Sequence, residues 1–122
     1  MAQESLVLVG TYTRGKSKGI YAYGFDSASG KLTEKGLAAE ANNASYLVIH
    51  PNGKWVYATS EIADYQKERS GGLVAYSLDA ASGKLTQLNH VSSRGSAPCH
   101  LSIDKTGKYL LAANYTGGNV AI

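Results

Sequence analysis

Apolar and polar residues alternate along most of this chain with a period of two, in short runs broken by turn signals. Residues 19–26 read GIYAYGFD, 55–60 read WVYATS and 72–79 read GLVAYSLD. Such alternation predicts strands with one face buried. The strands predicted in this way are 6–12, 19–26, 32–39, 46–50, 55–60, 72–79, 85–92, 100–104, 109–115 and a stub at 119–122. No stretch keeps a 3.6-residue apolar period long enough to predict a helix.

The alternation itself recurs on a longer scale. GIYAYGFDSASGKLT (19–33) and GLVAYSLDAASGKLT (72–86) are near copies. After a one-residue insertion, YLVIHPNGKWVYATSE (46–61) aligns with HLSIDKTGKYLLAANY (100–115). The period is about 53 residues. An all-β unit of roughly 40–50 residues, repeated, is the signature of a propeller blade. The expected fold is all-β: a propeller of four-stranded antiparallel blades, with about two and a half blades in 1–122. Strands within a blade are lettered A to D from the central channel outward. Residues 6–39 then supply B, C and D of one blade, 46–92 one complete blade, and 100–122 an incomplete one. Propellers close with four to eight blades, so the chain is expected to be the N-terminal part of a single, longer propeller domain. By itself it should be inactive, and its uncovered edges should pair with the remainder of the propeller or with copies of itself.

Antiparallel order puts the A–B and C–D turns on one face and the B–C and D–A loops on the other. The first face holds the tight turns His50–Lys54, Asp104–Lys108, Ser27–Lys31 and Ala80–Lys84, in which Gly supplies positive φ and Asn, Asp or Ser caps the backbone. The loops that differ between repeats (13–18, 40–45, 61–71 and 93–99) all fall on the second. Function concentrates on variable loops held by a rigid scaffold, which makes this the candidate active face. Arg14, Lys16, Lys18, Lys67, Arg69 and Arg94 lie there, interspersed with Glu61, Asp64 and Glu68.

Composition refines this picture slightly. Fourteen Gly and nine Tyr against one Phe suit strands and tight turns. A net charge of +3 is too small to argue for nucleic acid. One cysteine, Cys99, excludes an internal disulfide and is compatible with a reducing compartment. The start, MAQESLVLVG, has neither a basic n-region nor an apolar run long enough for a signal peptide or membrane span. The expected location is the cytoplasm, with no membrane partner.

Residues 10–17, GTYTRGKS, match the phosphate-loop pattern G-x-x-x-x-G-K-[ST]. That loop must open a helix, and here a period-2 strand follows at once, so 13–18 is read as a hairpin loop. Among the histidines, His50 aligns with Asp104 and is read as a turn cap, and His90 as a surface residue of an outer strand. His100 aligns with Tyr46 at the start of an inner strand, where the channel opens onto the variable face. A His there can act as general base or oxyanion donor. Cys99 should point away from His100 and be buried. Thr11, Glu61 and Asn114 stand at equivalent or near-equivalent ends of B strands, and Tyr12 and Tyr115 are equivalent too. The sequons Asn43-Ala44-Ser45 and Asn114-Tyr115-Thr116 lack a secretory signal and are read as chance. No zinc or EF-hand spacing occurs, so neither metal nor cofactor is expected.

Five segments together resemble the propeller-type lactonases, whose best-known members are bacterial 6-phosphogluconolactonases and whose fold carboxymuconate cyclases share. They are Val9–Thr13, Asn43–Lys54, Ala97-Pro98-Cys99-His100, Leu101–Asp104 and Ala112–Val120. The resemblance implies a seven-bladed propeller that hydrolyses a phosphorylated sugar δ-lactone of the pentose phosphate route. It carries the family's P-x-H histidine onto His100 and its polar channel-mouth residues onto Glu61, Asn114 and Tyr115. Lactone opening needs an activated water and a donor for the developing oxyanion. His100 takes one of these roles, and Glu61 orients His100 or the water. Arg14, Lys16 and Arg94 are expected to attract the substrate phosphate. Thr11, Tyr12, Asn114 and Tyr115 complete the expected substrate-binding set. Two other readings stay open: a non-enzymatic docking propeller, and a cyclase-type enzyme acting on an unphosphorylated dicarboxylate.

Overall fold

The computed structural model describes residues 3–122, arranged as three antiparallel sheets. The first contains β1 (Glu4–Val9), β2 (Gly19–Asp26) and β3 (Lys31–Glu40), in that order. The second is four-stranded: β4 (Leu47–Ile49), β5 (Trp55–Ser60), β6 (Gly72–Leu78) and β7 (Leu85–Ser92). The third contains β8 (Pro98–Ile103), β9 (Leu110–Asn114) and β10 (Asn119–Ala121). Apart from a short 3₁₀ turn at Tyr65–Lys67, the described elements are all strands.

The boundaries shift where a side chain outcompetes the ladder. The strand expected over 6–12 stops at Val9, because Thr11 bonds within its own loop and Gly10 packs under the Ala44 carbonyl. A Cβ on Gly10 would stand 2.0 Å from that oxygen. Tyr46 leaves the inner strand because its N–H is taken by the Thr59 hydroxyl at 3.0 Å. The strand expected from 100 begins at Pro98, and a bulge makes room: Pro98 pairs with Asn114 and His100 with Ala113, leaving Cys99 extra. The phosphate-loop reading fails, since residues 14–16 are bends and β2 follows from Gly19.

One apolar cluster joins the first two sheets. It holds Ile20, Ala22 and Ala38 with Ala44, Val56, Ala58, Val74, Tyr76 and Leu85. The alanines let the sheets approach closely, and Ile20, Val56 and Tyr76 fill the space at 0–1% exposure. Each such large side chain contributes about 1.5–3 kcal/mol relative to an exposed one. Polar ties hold the turn face between sheets. In the His50 turn, Nδ1 accepts from the Asn52 N–H at 3.1 Å, so the neutral ring carries its proton on Nε2, which donates to Gly107 O at 3.2 Å. His50 is thus a turn cap that also reaches the equivalent turn of the next sheet. Asp104 caps that turn by accepting from Thr106, Lys108 and Tyr109, and these bonds hold its carboxyl down at about 2. Gly53 and Gly107 take φ of 73° and 72°, where a side chain would be strained.

His90 corrects one expectation. It is half-buried, its ring is 4.4 Å from that of Tyr65, and its Nε2 is enclosed over Gly72. Gly72 leaves the space that the imidazole fills. Burial lowers the His90 pKa.

Candidate active site

The variable loops of neighbouring sheets bond to one another directly. Asn43, in the loop from β3 to β4, takes the Thr13 N–H on Oδ1 at 2.9 Å, and its carbonyl takes the Glu61 N–H at 3.0 Å. One sheet further on, Ala97 stands at the matching place and makes both links with its backbone: its N–H donates to Ile62 O at 3.0 Å, and its carbonyl takes the Tyr115 N–H at 2.9 Å. Both residues have left-handed φ, 48° and 55°. The loop junctions therefore form a hydrogen-bonded rim, made by the backbone alone at Ala97 and completed by side chains at Asn43.

Inside this rim lies an open cleft of about 480 Å³. Its lining includes Arg14 and Glu61 from two B–C loops, with Ile62, Ala97 and Tyr115. A second cleft of about 350 Å³, lined by Tyr12, Arg14 and Glu61, shares two of these residues. Both fall in the size range of small-molecule sites. The Tyr12 hydroxyl donates to Glu61 Oε2 at 2.8 Å, and the carboxylate's hold on that proton raises the Tyr12 pKa. Among the described residues Arg14 makes no ion pair, so its guanidinium faces the cleft with its donors free. The cleft thus offers a carboxylate, a phenol and a cation side by side.

The structure brings together Tyr12, Arg14, Glu61 and Tyr115 from the expected set. Others are placed differently. Thr11 donates to Gly19 O at 2.5 Å and pairs with the Ser17 hydroxyl; it closes its own loop. Asn114 is 3% exposed and donates to Ser93 O at 2.8 Å, which makes it a buried brace of the β7–β8 loop. Its Oδ1 is buried without a partner. Arg94 has φ 57° and lines a different depression, with Leu73, Val91, Leu110 and Ile122. Lys16 is exposed and lines neither cleft.

His100 is exposed on β8, and its contact is with Tyr46: the ring centroids are 4.4 Å apart at 45°. Of the two tasks expected of Glu61, orienting His100 or orienting the water, the first finds no bond among the described residues: the carboxylate accepts from Tyr12 instead. Cys99 is half-buried rather than buried, and its thiol donates weakly to Ala113 O at 3.8 Å. The bulge there breaks the strict strand alternation from which its direction was read. Among the described residues, no three His, Cys, Asp or Glu gather to hold a metal ion, and no helix is long and apolar enough to cross a membrane.

Sequence reasoning missed Asn43 and Tyr46. The usable signal was the repeat alignment, which sets Asn43 against Ala97 and Tyr46 against His100.

Comparison with known proteins adds to this geometry. A family model described as a lactonase with a 7-bladed β-propeller matches residues 6–122. The chain is 42% identical over 114 residues to the 6-phosphogluconolactonase of Bacillus subtilis strain 168, covering 93% of this chain and 31% of the relative. A solved structure from Bacteroides uniformis, provisionally named a 6-phosphogluconolactonase, superposes with a TM-score of 0.86 at 38% identity over 96% of this chain and 32% of its own. The periplasmic gluconolactonase PpgL of Pseudomonas aeruginosa superposes with a TM-score of 0.81 at 34% identity over 93% of this chain and 31% of its own. The chain therefore spans about a third of the length of the relatives it matches.

Proposed function

We propose, because this chain belongs to the lactonase family of seven-bladed β-propellers, that the whole protein hydrolyses 6-phospho-D-glucono-1,5-lactone to 6-phosphogluconate. The observation that carries this reading is the cleft in which Arg14 stands beside the hydrogen-bonded Tyr12–Glu61 pair. Each group suits one part of the reaction. Arg14 presents paired N–H donors to the phosphate, a geometry that suits two of its oxygens at once. Glu61 is the base on the cleft wall that takes a proton from water as the water adds to the lactone carbonyl, and it returns that proton to the ring oxygen as the C1–O bond of the lactone breaks. Protonation of Glu61 releases the one Tyr12 O–H from the carboxylate, and that hydroxyl then donates to the oxyanion that develops there. His100, on the inner strand β8, is the alternative carrier of one of these two roles, and Tyr115 gives the sugar ring an aromatic wall. Lys16 adds positive charge at the rim, which steers an anionic substrate. The products and the single cysteine fit a cytoplasmic enzyme of the pentose phosphate route.

The P. aeruginosa relative is named a gluconolactonase, so dependence on the phosphate is the discriminating test. The complete protein should turn over the phosphorylated lactone with kcat/KM at least about a hundredfold above that for glucono-1,5-lactone, as two charge-assisted hydrogen bonds predict. Arg14→Ala should remove most of that difference, chiefly through KM. Equal turnover of both lactones, or of neither, sinks the proposal.

A further inference from the structure

Asn43 is the residue through which the two sides of the cleft are joined. Its side chain is used at both ends. Oδ1 accepts from the Thr13 N–H at 2.9 Å and from the Thr13 hydroxyl at 3.2 Å, and Nδ2 donates to Glu61 O at 3.3 Å. The main chain adds three more bonds. The Asn43 N–H donates to Thr13 Oγ1 at 3.2 Å, and its carbonyl accepts from the N–H groups of Ser45 and Glu61 at 2.8 and 3.0 Å. Thr13 lies between Tyr12 and Arg14, and Glu61 faces both of them across the cleft. All three polar walls are therefore referred to one residue that is 8% exposed.

The chain contains its own control. Ala97 occupies the same place in the next repeat, with the same left-handed backbone and the same carbonyl bond, but its N–H reaches the Ile62 carbonyl where the Asn43 N–H reaches the Thr13 hydroxyl. At Ala97 the backbone makes both links by itself, whereas at Asn43 it makes only the link to Glu61 and the link to the Thr13 loop runs through the amide and the Thr13 hydroxyl. A left-handed position tolerates Asn well and Gly better, so conformation explains why Asn is allowed here. It does not explain why both ends of the amide are engaged by the residues that carry Tyr12, Arg14 and Glu61. We propose that Asn43 is a positioning residue for the reaction: its amide sets the spacing between the Tyr12–Arg14 loop and Glu61, and so maintains the Tyr12–Glu61 hydrogen bond in the resting site. This rests on the lactonase reading for its link to turnover, and on geometry alone for its link to Tyr12.

Asn43→Gly in the complete protein separates the two. Glycine keeps the left-handed backbone and both carbonyl bonds, so the variant should keep the fold, with its melting temperature lowered by the loss of the amide's bonds to Thr13 and Glu61. Without the amide, Tyr12 should lose its hold on Glu61. Its ring-carbon NMR titration, raised by Glu61 in the parent, should then move down toward that of a free tyrosine. On the same protein kcat/KM for the phosphorylated lactone should fall at least about tenfold, the expected effect of a sub-ångström to ångström misplacement. An unmoved Tyr12 titration overturns the positioning role whatever the activity. A Tyr12 titration that moves while kcat/KM stays at the parent value overturns its link to the reaction. A parent protein without lactonase activity removes the function proposed above, and the Tyr12 titration still decides whether Asn43 holds the pair.

Discussion

The Tyr12 hydroxyl donates to the Glu61 carboxylate at 2.8 Å, although the two residues are 49 positions apart and occupy the same place in consecutive repeats. The same relationship holds for Tyr46 and His100, whose tilted rings lie 4.4 Å apart. Equivalent positions of adjacent blades meet on the inner, variable face. A site on that face is assembled from repeats of one position that have diverged in chemistry.

Glu61→Gln keeps the shape of the side chain and removes its charge. As the general base, Glu61 should account for about a hundredfold or more in kcat. The same change should lower the Tyr12 pKa, because the carboxylate that raises it is gone. Steady-state kinetics of the complete protein and the tyrosine titration check both parts. A variant with parental kcat ends the role of Glu61 as base.

His100→Ala tests the inner-strand histidine. The ring is exposed, so stability should change by no more than about 0.5 kcal/mol. If it supplies proton transfer or an oxyanion donor, kcat should drop about a hundredfold. Tyr46→Leu should produce a smaller loss, since it removes only the ring that His100 packs on. Parental turnover in His100→Ala excludes the histidine from the chemistry.

Neighbouring residues at the end of β9 should respond in opposite ways. Asn114→Ala strands the buried Ser93 carbonyl, at a cost of about 1–3 kcal/mol. Tyr115→Ala, 81% exposed, should cost no more than about 0.5 kcal/mol and should act on KM. Urea unfolding of the two variants measures the contrast, and equal destabilisation contradicts it.

Stability should also depend on His90. Its pKa lies below the ordinary 6.5 in the folded state because burial disfavours the imidazolium. The unfolded chain therefore binds the proton more readily, and stability declines as pH falls from about 6.5 through the folded value. Replacing the ring by His90→Phe should flatten this window. A separate decline should come lower, below about 4, where Asp26, Asp79 and Asp104 lose the turn bonds that depress their pKa values. Asp104→Asn should weaken that second decline and leave the first intact. Thermal melts between pH 3 and 8 resolve the two, and an unchanged profile in His90→Phe rules out the first.

Much of the architecture was legible without coordinates, because it rests on local rules. A period of two follows from the pleat, which sends successive side chains to opposite faces. The turns state their geometry in Asp, Ser and Gly: Asp26 and Asp79, at matching places, accept from Ala28 and Ala81 at 2.9 and 3.1 Å. Antiparallel order then assigns every variable loop to one face, and that placement of Arg14, Glu61 and Tyr115 follows from connectivity alone.

Which loop residues meet was decided between blades, where no local rule reaches. Asn114 and Tyr115 are adjacent, yet one is 3% and the other 81% exposed, because the Ser93 carbonyl of the neighbouring loop draws in the first. Arg94 looks like Arg14 in the sequence, but its left-handed backbone turns it into an apolar depression beside Leu110. Cys99 and His100 lost their predicted alternation to a bulge that is visible only once β8 pairs with β9. Asn43 is unremarkable as a letter, and its role exists only where Thr13 and Glu61 arrive together. Strand period and turn chemistry are properties of a few consecutive residues, so the sequence determines them by itself. Contacts between residues some fifty positions apart depend on how neighbouring sheets twist and nest, and that is a property of the packed whole.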